Sequence, residues 1–519
     1  MRRQRWASVM VGAVIVALSA ATLTWLALPR LHAAAAGSVT VTTDLAQYSD
    51  TQPIQVTVTN GLSQPIYAFD TKANCSILDL QIQVSAVWQP STQAPCPLRR
   101  AARPILIGMG GTYTTTIHAT TRLGAPSAFT AGSYRLALQY GLSSTTINTT
   151  VYSAVFTVTS LYGDGSDGPL TLFASITDSP LDATCTGSAG ATSLSFDNAS
   201  GSFASSTGKP ILIHQSQGSG AGNWETNKIV SVSGGTTGTL FLANALSNGY
   251  SSGAQVIVLP QYTNVTINSG VNWVAKAWNG SKGGIVAFLA TGTVTINGTI
   301  SADGLNGSNA NGSGAPTPGG SGRGFRGGSS DSPGQNGWQG EGVNGTGAQI
   351  TSANGNAGGG GYESSDAGPN PGAGGGGGGN GSIGSNGTAS NSSSIGGAGG
   401  ATAGTLSLSN MVFGGGGGGG AVYTGNSGGG GGGGGGIIYI AGASIVLNSS
   451  GVLSALGGNG GAGDVGLGGG GGGAGGSILL IRQSESLSGA FHVDGGAGGP
   501  SGSAPGGAGG SGRVAVRAG

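Results

Sequence analysis

Residues 414–436 hold two unbroken glycine runs, 414–420 and 428–436, separated by AVYTGNS. They lie in a stretch, 304–519, that carries 82 of the chain's 112 glycines. Glycine loses more backbone freedom on ordering than any other residue, so such a run orders only where other interactions offset the loss. Proline is scarce and no Gly-X-Y period persists, which excludes collagen. Two readings stay open: a flexible tether, or extended chains laid flush that bond laterally through their N–H and C=O groups. In the second, the run 428–436 takes polyproline-like geometry and spans roughly 28 Å at about 3.1 Å per residue.

The flanking sequence favours order. Residues 298–304 (GTISADG), 451–457 (GVLSALG) and 489–495 (GAFHVDG) each place five residues between two glycines, after strand-like sequence and before a glycine-rich excursion. Val294, Ile296, Ile300 and Ala302 keep one parity through Gly298. Ile445, Leu447, Leu453 and Ala455 do so through Gly451, and Leu487, Phe491 and Val493 through Gly489. A period of two carried through a central glycine reads as strands turning a corner with one face inward. The more apolar segments 285–290, 437–441 and 478–481 read as covered on both faces. The expected fold is all-β: coils stacked as a parallel β-helix or solenoid, beginning in a strand-rich part at 163–303 and continuing through the glycine-rich coils of 304–519.

Upstream, Arg2, Arg3 and Arg5 precede an uncharged run at 6–28 and small residues at 33–36. Residues 1–36 therefore read as a targeting segment, either a cleaved signal or an N-terminal membrane anchor, and both place the rest outside the cytoplasm. Residues 38–159 alternate apolar and polar positions in about seven short strands, which points to a β-sandwich. Cys75 and Cys96 lie within it, and outside the cytoplasm a disulfide between them is allowed. Cys185 is left over and reads as a buried small residue. Net charge is +1 with 7% charged residues and no basic stripe, so nucleic acid is not an expected partner.

Residues 56–60 (VTVTN), Trp88 followed by Cys96, and 131–135 (AGSYR) resemble small bacterial immunoglobulin-like envelope modules, which implies spacing or binding. Further on, IHQSQG at 213–218, AGNWE at 221–225, QYTNVTI at 261–267, AWNG at 277–280, GFRGG at 324–328 and GWQGEG at 337–342 resemble large glycine-rich, adhesin-like bacterial surface proteins. That resemblance runs from Gly163 to the C-terminus. It implies an extracellular β-solenoid with polyglycine loops, as in some phage-fibre tips and glycine-rich receptor ectodomains, and it carries no catalytic residue set.

The chemistry on offer is thin. Asp164 and Asp167 sit in a glycine turn without the regular ligand series of a calcium loop, and no Cys/His spacing suits zinc, so neither metal nor cofactor is expected. Asp303 and Asp494, with His492 nearby, form a minimal carboxylate pair if their coils stack, the basis of an alternative reading as a polysaccharide-active enzyme. Solvated corner residues are the plainer account. Arg326 and Glu341 are lone charges among glycines and suit a tie between loops. Phe325, Trp338, Tyr362 and Tyr423 decorate the excursions, either as contacts for a glycan or surface or as packing over the glycine layer. Threonine and asparagine at 265–268 and 293–297 hint at an ice- or mineral-binding ladder. The leading expectation is a non-enzymatic structural or adhesive surface protein.

Overall fold

Alternation of apolar and polar residues organises many of the strands in the computed structural model. It describes residues 37–519 apart from 51, 98–100, 123–128, 313–314, 331–335, 364–371, 423–425 and 465–466. The targeting segment read at 1–36 lies outside these residues. The protein is all-β, with a single three-residue 3-10 turn among the described residues.

In the N-terminal part, Val39–Thr43, Ile54–Asn60 and Thr112–Ile117 form one antiparallel sheet. It faces a second sheet built around Gly132–Tyr140, Leu78–Val84 and Phe156–Thr159. Inward side chains of both sheets, among them Val56, Val58, Leu80, Leu136 and Phe156, make one buried core. A disulfide joins Cys75 to Cys96 across a Cα–Cα distance of 4.5 Å, beside the turn at Ala73–Cys75.

From residue 170 onward, outside the stretch 182–258, two parallel sheets are built. The longer sheet runs in the order Leu170–Leu172, Val265–Ile267, Ile285–Ile296, Ile437–Leu447, Ser477–Leu487, Arg513–Ala518. A shorter parallel sheet stacks Ile176–Thr177, Asn272–Val274, Thr299–Ser301, Val452–Ser454 and Ala490–His492. Register puts like on like. Val286, Ile438, Ile478 and Val514 form one column, and Trp273, Ile300, Leu453 and Phe491 another. At the bend between the sheets a side chain would strike a neighbouring coil: a Cβ on Gly298 would lie 2.3 Å from the Val271 carbonyl oxygen, and on Gly451 2.2 Å from that of Ile296. The corner glycines are therefore steric requirements.

The strand Ile285–Ile296 begins with six consecutive buried residues. Val286, Phe288 and Ala290 enter the core between the two parallel sheets, while Ile285, Ala287 and Leu289 enter a second core on the opposite face.

One region differs from the expectation that 163–303 simply begins the stack. Six strands between Asp182 and Val258 close on themselves as an antiparallel barrel with its own core of Phe196, Phe203, Ile211, Ile213 and Val256. Short connections such as 188–192 and 235–237 join antiparallel neighbours, whereas a parallel coil needs a long return, so these strands pair with each other instead. Cys185 is buried in this barrel as a free thiol. The barrel is fastened to the stack at Asp182, whose fully buried carboxylate meets Lys276 Nζ at 2.8 Å and Lys282 Nζ at 3.4 Å.

Candidate functional site

The glycine runs form an ordered, cross-bonded layer, and the run 428–436 leads directly into the strand Ile437–Leu447 of the longer parallel sheet. In residues 414–420 successive N–H groups donate in three directions with a period of three. Gly414, Gly417 and Gly420 bond the carbonyls of Gly435, Gly432 and Gly429; Gly415 and Gly418 bond those of Gly379 and Gly376; Gly416 and Gly419 bond those of Glu341 and Trp338. Their own carbonyls accept from three further segments, through Phe325 and Gly328, Gly358 and Gly361, and Gly471 and Ala474. The central run is thus surrounded by six extended chains at N···O distances near 2.9 Å, such as Gly417 to Gly432. Three residues per turn is the period of polyproline-like chains, and it turns consecutive donors by a third of a circle.

Only glycine fits. A Cβ on Gly418 would stand 1.9 Å from the Gly359 carbonyl oxygen, and on Gly431 2.0 Å from that of Gly417. Every buried N–H in this run finds a carbonyl, which offsets the desolvation of a backbone with no side chains to bury.

At one edge the layer opens into a cleft of about 600 Å³ where three chain segments lie side by side, lined by Asn306, Ser308, Asn309, Asn459 and Pro500 among others. Its asparagines are set by the coil beneath. Asn306 Oδ1 accepts from Asn459 N at 2.8 Å, Asn309 Oδ1 from Ala462 N at 2.9 Å, and Asn459 Oδ1 from Ala497 N at 2.8 Å. With the carbonyl end held, each exposed side chain keeps its Nδ2 donors at a fixed height. Spacing along the chain gave no sign of this, since the partners are 153 or 38 residues apart. Recognising it needs the coil register.

Arg326 and Glu341 meet beneath the layer. Arg326 donates to Glu341 Oε2 from its backbone N at 3.1 Å and from Nε at 2.9 Å. Trp278 Nε1 reaches the same oxygen at 3.0 Å, and Gln217 Nε2 from the barrel reaches Oε1 at 2.9 Å. The carboxylate is buried and surrounded by donors from the stack, the layer and the barrel. This arrangement fastens three parts of the fold together and leaves no lone pair facing an open site. Nearby, the buried His214 ring, also from the barrel, contacts Met411 O at 2.7 Å and Ser216 Oγ at 2.9 Å, and desolvation lowers its pKa to about 4.

The aromatic residues separate. Trp338 is exposed and Tyr362 is half-buried, its backbone paired with Ile395. Tyr423 lies outside the described residues. Phe325 corrects the expectation of a surface contact. It is fully buried, with ring centroids 6.1 Å from Trp278 and 5.3 Å from Phe413, because it packs into the second apolar core on the far face of the longer sheet.

Asp303 and Asp494 are not neighbours. Register places Leu456 on the rung between them, so they stand two strand spacings, roughly 10 Å, apart. Asp303 accepts from Ser301 Oγ, Ser454 Oγ and Leu456 N, while Asp494 and His492 are exposed. Asp164 caps the Ser166 N–H and Asp167 pairs with Lys209, as turn residues do. The threonine ladder has three rungs, Thr171, Thr266 and Thr295, before Val446 breaks it. Glu363 is a buried carboxyl with no hydrogen-bond partner among the described residues, and burial pushes its pKa up to about 7. Among the described residues no three His, Cys, Asp or Glu side chains gather as a metal site would need, and no helix is long and apolar enough to cross a membrane. No protein-family model matches the chain, and no curated protein is significantly similar to it.

Proposed function

We propose that this chain is a non-enzymatic, extracytoplasmic scaffold of the glycine-rich, adhesin-like kind. In this reading an immunoglobulin-like sandwich stands ahead of a parallel β-solenoid with a polyglycine II-like flank, and residues 1–36 export or tether it. The observation that carries the proposal is the six-fold surround of residues 414–420. A backbone so fully cross-bonded has little freedom left, and the polar groups along its edge are presented at fixed positions.

The sandwich assignment draws support from Tyr134, whose hydroxyl donates to the Thr130 carbonyl at 2.7 Å, a corner that recurs in immunoglobulin-like sandwiches. The solenoid assignment rests on the like-on-like columns of the two parallel sheets. A rigid edge bearing amide donors suits the hydroxyls of a surface glycan, and the asparagine cleft is the place for it. Turnover forms no part of this reading, since the carboxylate placed best for it, Asp303, is held by three donors.

The test is retention of protein-coated beads on intact cell envelopes, comparing the parent chain with an Asn306→Ala, Asn309→Ala, Asn459→Ala variant. The reading expects retention by the parent and about a tenfold loss in the variant, as three ordered donors are removed. Equal retention of both, or sugar released from the envelope by the parent, would contradict it.

A further inference from the structure

The solvent face of the sandwich sheet carries an arrangement that the glycine layer does not explain. Gln83 stands opposite Trp88, Gln81 opposite Arg135, and Ala137 opposite Tyr152, so these side chains share the face turned away from the core. Arg135 does not extend into solvent. Its guanidinium carbon lies 4.5 Å from the centroid of Trp88 and 3.8 Å from that of Tyr152, held between the two rings. Its Nε donates to Gln81 Oε1 at 2.8 Å. Lys72, which donates to Gln139 Oε1 on this face, is matched by Asp79 at 3.2 Å, whereas among the described residues no carboxylate pairs with Arg135.

The chemistry that follows is narrow. With two rings against the guanidinium and its Nε used by Gln81, the Nη groups remain as a held fork of donors. That fork matches a carboxylate in two-point contact, and a guanidinium held in advance loses less freedom on binding than a mobile one. On either side, Trp88 and Tyr152 offer flat apolar surfaces to the C–H face of a sugar ring; Tyr152 is 46% exposed. Gln83 and Gln139, both exposed, supply amides at the margins for hydroxyls. The surface is an open sheet face and not a pocket, so it suits a polymer lying across it.

We infer that this face binds an acidic polysaccharide, with the carboxylate of a uronic acid seated on Arg135 and adjoining sugar rings against Trp88 and Tyr152. The proposal rests on the adhesive reading only in taking a glycan as the ligand, and it uses a surface separate from the asparagine cleft.

Affinity electrophoresis of the whole chain in gels containing polygalacturonate, its methyl-esterified form, or a neutral galactan tests it. Expected is retardation by the free acid alone. Arg135→Gln should weaken it about tenfold, Arg135→Lys should restore only part, and Tyr152→Ala should weaken it severalfold. Circular dichroism of each variant checks that the sandwich remains folded, since Tyr152 is exposed and Arg135 half-buried on the face away from the core. Equal retardation by acid and ester, unchanged binding in Arg135→Gln, no retardation by polygalacturonate, or capture of a protein through this face in its place would each overturn the proposal. A cleft variant that loses envelope retention yet still binds polygalacturonate supports it. Binding lost in the cleft variant but kept in Arg135→Gln overturns it, whatever becomes of the adhesive reading.

Discussion

At the residue scale the most consequential side chains are polar ones buried where parts of the fold meet. His214 is fully buried with a carbonyl oxygen, Met411 O, at Nε2; a carbonyl only accepts, so Nε2 carries the proton and Nδ1 accepts from Ser216. Its pKa is lowered from 6.5 to about 4 by desolvation. The unfolded chain therefore binds a proton near pH 6.5 that the folded protein refuses until about pH 4. The contribution of the neutral ring is fully present above pH 6.5 and is lost as pH falls through 4, an effect of about 3 kcal/mol. Asp178, raised to about 6 mainly by burial, has the opposite sign, adding stability in acid that fades as pH rises through 6. The clean measurement is thus a difference. The denaturation midpoint of the parent should fall from pH 7 to pH 4 more steeply than that of His214→Asn, and parallel curves would refute this account of the ring.

At the element scale each glycine segment is specified by its neighbours' carbonyls. Gly418→Ala would force a Cβ to 1.9 Å from Gly359 O and 2.5 Å from Gly359 C, backbone atoms that cannot rotate away. A loss of about 3 kcal/mol is expected, read as a lower thermal midpoint. Gly108→Ala, where nothing lies within 4 Å and φ is not positive, should stay within about 0.5 kcal/mol of the parent. A Gly418→Ala protein as stable as the parent would mean the layer yields to side chains. The elements themselves were legible where period and punctuation coincided, as in the strands flanking Gly298, Gly451 and Gly489, which lie in the parallel sheets. The barrel was not legible. Its closing pairs, such as Ala183 with Val256, join residues far apart in sequence, and alternating strands look the same whether they close together or enter a stack. Phe325 was misplaced for a related reason: glycine neighbours carry no periodicity, so nothing local says which side of the chain faces inward.

At the scale of the whole molecule, structure comes in two currencies. The sandwich, the barrel and the space between the parallel sheets are stabilised by apolar side chains. The layer beyond them has almost none and depends on backbone hydrogen bonds satisfied in three directions. That division was visible in the distribution of glycine, which crowds into 304–519, but the sequence did not show which segments become neighbours. The barrel, the stack and the layer are drawn together at Glu341, through Gln217, Trp278 and Arg326. The account as a whole stands on the glycine layer being rigid in solution. Amide hydrogen exchange across residues 414–436 measures this most directly. Glycines such as Gly417, Gly418, Gly431 and Gly432 are predicted to exchange on the order of 10³-fold or more slowly than a free peptide; exchange at the free-peptide rate throughout the two runs would contradict it.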